Sequence, residues 1–194
     1  MLDEKRLSET RAKVGRYLKE GSIIKEKRGR FIQFFFNNAR NSLEAAKLLF
    51  DASTNEKLKV AVGLSDFNGF LWVINASYYS MFYMARALLE SEGVKIKTEL
   101  SVHLLTFDAL VYYFYLTGKL EKKMIEEFAE AEEEAAEVLG KEKAKELMED
   151  YLHEKRKRAK FTYELGEIAM HEKAKTSLER AKRFNEEVRK ILNA

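Results

Sequence analysis

Residues 66–92 read DFNGFLWVINASYYSMFYMARALLESE, and their pattern decides the fold. Apolar or aromatic side chains (Phe67, Phe70, Leu71, Trp72, Ile74, Tyr78, Phe82, Leu88, Leu89) recur around most of a helical circumference. A helix that is apolar nearly all round sits at the centre of its bundle and is covered by others. Two covering helices are legible at once. Ile32, Phe35, Phe36, Ala39, Leu43, Ala46 and Phe50 draw a stripe at helical spacing. Ala174, Leu178, Ala181, Asn185, Val188 and Leu192 draw another, widened by Phe184 and Ile191.

Glycines mark the expected joints. Gly21 and Gly29 bracket a basic link, Gly63 precedes the central helix, and Gly93, Gly118, Gly140 and Gly166 each follow a periodic run. Helical segments are therefore expected near 3–20, 31–53, 66–92, 100–117, 120–139, 141–164 and 168–193. No strand alternation of useful length appears. The chain of 194 residues contains no proline, where average usage would supply about ten. Proline breaks helix interiors, so its absence with 27 Glu and 23 Lys favours long helices and an all-α class.

Composition also excludes several classes. With no cysteine there is no disulfide framework. The longest apolar run, Ala109 to Leu116, is too short to span a bilayer, and the opening residues are charged, so the expectation is a cytoplasmic protein without membrane attachment. Enrichment in Glu and Lys resembles hyperthermophile composition.

The net charge of +3 conceals strong segregation. Residues 121–154 hold 13 acidic and five basic residues, whereas 155–160 (KRKRAK) are five cations with no acid. A second basic stretch, 11–30, has eight Lys or Arg against two Glu. Such runs usually form solvated faces. The KRKRAK run lies beside Phe161 and Tyr163, and cations among aromatics suit phosphate backbones and stacked bases. Arg156, Lys157, Arg158 and Lys160 are therefore candidate phosphate-binding residues.

Other chemistry is sparse. His103, His153 and His171 make no zinc pattern, and no metal or cofactor site is expected. No phosphate-binding glycine loop, dinucleotide fingerprint or serine elbow occurs. Arg86 and Asp108 are the charges most embedded in apolar sequence. Buried charges are normally paired, so each is expected in a structural ion pair or on a polar helix edge. The alternative is a polar cluster near a ligand pocket. Tyr78, Tyr79 and Tyr83 read as core or interface aromatics whose hydroxyls find partners.

The stretch Asn75-Ala-Ser-Tyr-Tyr-Ser-Met-Phe-Tyr-Met-Ala-Arg-Ala-Leu-Leu89 resembles the second-helix signature of HEPN domains (higher eukaryotes and prokaryotes nucleotide-binding). Gly93-Val-x-x-Lys-Thr98 is similar to their link into the third helix, and Arg158-Ala-Lys-Phe-Thr-Tyr163 resembles an Arg-x4-Tyr form late in the fourth. The resemblance covers roughly 31–193 and implies an antiparallel bundle of about five core helices over 31–194, with 1–30 as a basic helical extension. It further implies a homodimer that binds RNA or nucleotide. Many members are metal-independent ribonucleases of toxin–antitoxin or defence modules, often encoded beside a minimal nucleotidyltransferase. A non-catalytic partner of such a nucleotidyltransferase is the alternative reading.

The family's catalytic residues form an Arg-x4–6-His motif at the dimer interface, where arginine clamps a phosphate and histidine moves a proton. This sequence has no histidine between Glu154 and Met170, and Tyr163 stands five residues after Arg158. By resemblance the catalytic set is Arg158 and Tyr163, with His153 as a histidine brought near in space.

Overall fold

Helix α4 (Phe70–Ser91) runs through the middle of the computed structural model, which describes residues 4–26, 29–97, 101–149 and 159–193. Its buried side chains point in nearly every direction, as its sequence requires. Helices α2 (Ile32–Thr54), α6 (Lys122–Glu149) and α7 (Ala159–Asn193) pack around it. Helix α5 (Val102–Leu110) continues into a single π-helical turn at Val111–Tyr115 and is covered by α1 (Glu4–Lys19). The short α3 (Glu56–Ala61) follows α2, its first turn capped by the Asn55 side chain accepting from Leu58 N–H. The fold is an all-α helical bundle. Among the described residues, no helix is long and apolar enough to cross a membrane.

The centre is apolar, with Phe114, Phe128, Phe184, Met81 and Met84 fully buried. One polar chain crosses it. Asn185 Nδ2 donates to Ser80 Oγ, which donates to the Ala39 carbonyl, each at 2.7 Å, so α7, α4 and α2 are tied together. The two short bonds set the three helices relative to one another, while the Asn185 Oδ1 has no partner among the described residues. A second tie is ionic. Arg180 on α7 reaches Glu130 and Glu134 on α6 at 3.0 and 2.8 Å, and Ser177 Oγ also donates to Glu134. Val14 and Tyr17 of α1, with Ile23 just after it, join the same buried cluster as the later helices.

The structure corrects the reading of the joints. Gly21, Gly29, Gly63, Gly93 and Gly118 adopt positive φ and sit in turns, whereas Gly140 lies inside α6 and Gly166 inside α7. Glycine weakens a helix interior by about 1 kcal/mol but does not by itself end one. The central helix also starts later than expected. A Cβ at Gly69 would lie 2.8 Å from the Phe67 ring, and Gly69 N–H donates to Ser53 Oγ at 2.8 Å, so Phe67–Gly69 folds back on α2 before α4 begins.

Two three-residue strands escaped the sequence reading. β1 (Ile23–Lys25) and β2 (Val94–Ile96) pair antiparallel, with Ile23 opposite Ile96 and Lys25 opposite Val94. Three residues are too few to display a period of two.

Candidate functional site: a cationic pocket among aromatic rings

Gly93, with φ of 74°, turns the chain from the end of α4 directly into β2. The ladder is extended by Glu26 N–H donating to the Gly93 carbonyl and Lys97 N–H donating to the Ser22 carbonyl, both at 2.9 Å. Glu26, Lys95 and Lys97 thereby come to lie beside Arg86 and Glu90 of α4 and beside Arg30, Phe31, Phe34 and Phe35 at the start of α2. Together they line a cavity of about 440 Å³.

Its charges are unequally engaged. Lys95 Nζ lies 2.7 Å from Glu26 and 3.9 Å from Glu90, and Lys97 Nζ lies 3.9 Å from Glu26. The hydrogen bond from Lys95 holds the Glu26 carboxyl below its usual range. Glu90, almost wholly buried, also accepts from Phe31 N–H at 3.2 Å. Both carboxylates are thus satisfied by lysines and backbone.

The two arginines face rings instead. Arg86 lies 4.8 Å from the Phe35 centroid and 5.9 Å from that of Phe82, and Arg30 lies 5.4 Å from that of Phe31. Among the described residues neither makes an ion pair within 4 Å. Burial pulls the Arg86 pKa down, opposed by the Glu90 charge, and a guanidinium remains protonated regardless. A cation stacked on aromatic faces is held in place with its N–H edge directed elsewhere.

Phe82 also packs against a titratable pair. His103 of α5 packs 4.4 Å from the Phe82 ring, and its Nδ1 is 2.6 Å from the Tyr78 hydroxyl. Burial, and then the Arg86 charge, lower the His103 pKa from 6.5, so its imidazole is neutral at pH 7. Burial raises Tyr78 above the ordinary phenol range, which keeps its proton on oxygen. Arg86, a guanidinium, and His103, a neutral imidazole, therefore both lie against the Phe82 ring.

The residues singled out from sequence fare differently. His153, Arg156, Lys157 and Arg158 lie outside the described residues. Lys160 and Tyr163 belong to the first turns of α7. Arg86 and Asp108, expected to be paired charges or polar edges, part company. Asp108 accepts from the Tyr17 hydroxyl at 3.1 Å, which ties α1 to α5, and burial raises its pKa. Arg86 takes the alternative and lines a pocket. His171 packs against Phe50 and Phe70. His103, in contrast, gained no role from sequence, because its partner Tyr78 lies on another helix. Arg30-Phe31-x-x-Phe34-Phe35 followed later by Lys95-x-Lys97 was the available signal for the pocket.

A second surface lies along α2 and α4. Asn38, Ser42, Ala45 and Leu49 run beside Trp72, Asn75, Ala76, Tyr79 and Tyr83 around a shallow groove of about 860 Å³. Trp72 is 53% exposed there, whereas Asn75 is buried with its Oδ1 lacking a partner.

Compared with known proteins, the chain matches no family model, no curated protein and no solved structure.

Proposed function

We propose that this chain is a HEPN-like protein that binds RNA or nucleotide through the Arg86 pocket, as a homodimer. The observation carrying the proposal is Arg86 itself: a half-buried guanidinium, stacked on Phe35 and Phe82, lining a cavity with three further cations. Arginine edges bind phosphate oxygens bidentately, and exposed rings such as Phe31 and Phe34 offer faces to bases. His103, against the same Phe82 ring as Arg86, suits the metal-independent ribonuclease form of the same proposal. There, with His103 Nδ1–H donating to Tyr78, the free Nε2 takes the proton of an attacking 2′-hydroxyl. The new 2′-oxygen–phosphorus bond forms as the phosphorus–5′-oxygen bond breaks, the leaving 5′-oxygen takes a proton from water, and a guanidinium holds the phosphate.

Support for the dimer comes from the α2–α4 groove. A chain that is 35% charged lines this groove with nine residues, none of them charged. A two-fold contact sets residues against copies of themselves or near neighbours, so an uncharged lining avoids like-charge repulsion.

The test is binding of a fluorescent single-stranded RNA at low salt, followed by a salt titration. Binding that weakens with added salt and is lost in Arg86→Gln supports the proposal. No binding at low salt, or equal binding by wild type and Arg86→Gln, refutes it.

A further inference from the structure

We infer that the Arg86 pocket takes a terminal phosphomonoester, the phosphate end of a nucleotide or RNA chain, in preference to an internal phosphodiester. The inference rests on the proposed function and narrows its ligand.

Charge matching is the first reason. The lining holds Arg30, Arg86, Lys95 and Lys97 against Glu26 and Glu90, a net two positive charges. A phosphomonoester at pH 7 carries roughly −1.5 to −2, with its second pKa about 6. A diester carries a single negative charge and would leave one cation uncompensated in a partly desolvated site.

Donor geometry is the second. Lys95 is committed to Glu26 and Glu90, and Lys97 lies near Glu26, so the uncommitted donors are the two guanidinium groups. Each is held over a ring, Arg86 over Phe35 and Arg30 over Phe31, and each presents a planar fork. On a diester both forks must share the same two unesterified oxygens. A monoester offers three such oxygens.

Size and rings are the third. A cavity of about 440 Å³ falls in the small-molecule range rather than that of an extended strand channel. Phe31 and Phe34, 43% and 57% exposed, stand beside the cations and present faces on which the terminal base stacks.

The experiment compares one short single-stranded RNA bearing a 5′-phosphate with the same RNA ending in a 5′-hydroxyl, both titrated into the full chain at fixed salt. The phosphorylated end is expected to bind about tenfold tighter or better, the size of one good charge-assisted contact set. The ratio of the two affinities is expected to shrink as pH falls from 7.5 to 5.5 and the phosphate gains its second proton. Effects common to both ligands cancel in that ratio. Arg86→Gln and, independently, Arg30→Gln are expected to bring it towards unity. Arg30 is exposed, so its variant reads the site without a folding penalty. Equal affinity of the two RNAs for the wild type overturns the terminal-phosphate inference and leaves RNA binding standing. A phosphate preference that survives in both variants also overturns it, because the preference then resides elsewhere. Binding of neither RNA overturns the inference and the proposed function together.

Discussion

The Arg86 guanidinium lies 4.8 Å from the centre of the Phe35 ring, and among the described residues no carboxylate comes within 4 Å of it. A half-buried cation held this way has lost hydration without gaining an ion pair, and two ring contacts only partly offset that loss. Each such contact is worth about 0.5–2 kcal/mol. Arg86→Met keeps the packing of the aliphatic stem and removes the charge. The expected result is a melting temperature unchanged or raised, by up to about 1 kcal/mol in stability, together with loss of RNA binding. A clear fall in melting temperature would show that the rings hold Arg86 for structural reasons.

His103 provides a pH signature. Its folded pKa is lowered from 6.5 by burial and by Arg86, so the unfolded chain binds more protons as pH falls through that value. Its contribution to stability is complete above pH 6.5 and is lost on acidification towards the lower, folded pKa. Asp108 and Glu132 act in the opposite sense. Burial raises their pKa values, so the stability they confer when protonated declines as pH rises from their ordinary range. The clean measurement is therefore a difference. Between pH 7.5 and 5.5 the wild type is expected to lose more stability than His103→Gln, and parallel curves would contradict this assignment.

Much of the fold was legible because a period of 3.6 survives in sequence wherever a helix buries one face. The stripes from Ile32 to Phe50 and from Ala174 to Leu192 mark α2 and α7, and the all-round apolar character of 66–92 marks α4 as central. Joints were less legible, because glycine is shared by real turns such as Gly93 and by helix interiors such as Gly140 and Gly166. The difference lies in the sign of φ, which neighbours decide. The pocket was least legible. Arg86 looks like any embedded charge until the turn at Gly93 brings Lys95 and Lys97 back against the start of α2. Asp108 has the same sequence context and ends against Tyr17 instead.

Two glycines offer opposite tests of packing. Gly15 lies within α1 with nothing inside 4 Å of a Cβ placed there. Gly15→Ala is expected to stabilise the chain by about 0.5–1 kcal/mol through helix propensity. Gly69 has an ordinary φ of −102°, so alanine meets no backbone strain there. Its Cβ would nevertheless sit 2.8 Å from the Phe67 ring and 3.2 Å from Ser53 Oγ. Gly69→Ala is expected to cost about 1–3 kcal/mol as the ring is displaced. Thermal melts of the two variants should shift in opposite directions. A Gly69→Ala melt no lower than wild type would mean that Phe67 yields freely and does not set the start of α4.

The α2–α4 groove makes the dimer testable apart from any ligand. Trp72, Ala76, Tyr79 and Tyr83 are spaced four, three and four along α4, and Asn38, Ser42, Ala45 and Leu49 repeat that spacing along α2. Each stripe covers about 16 Å of helix at 1.5 Å per residue. The small residues Ser42, Ala45 and Ala76 allow close approach of a second pair of helices, with the rings closing around them. Light scattering at micromolar concentration is expected to give the mass of two chains. Trp72→Lys places like charges on both sides of a two-fold contact and is expected to give one chain with unchanged helical circular dichroism. A wild type that remains a single chain over the whole concentration range would remove the homodimer from the proposed function, while leaving the Arg86 pocket to be judged by its own ligands.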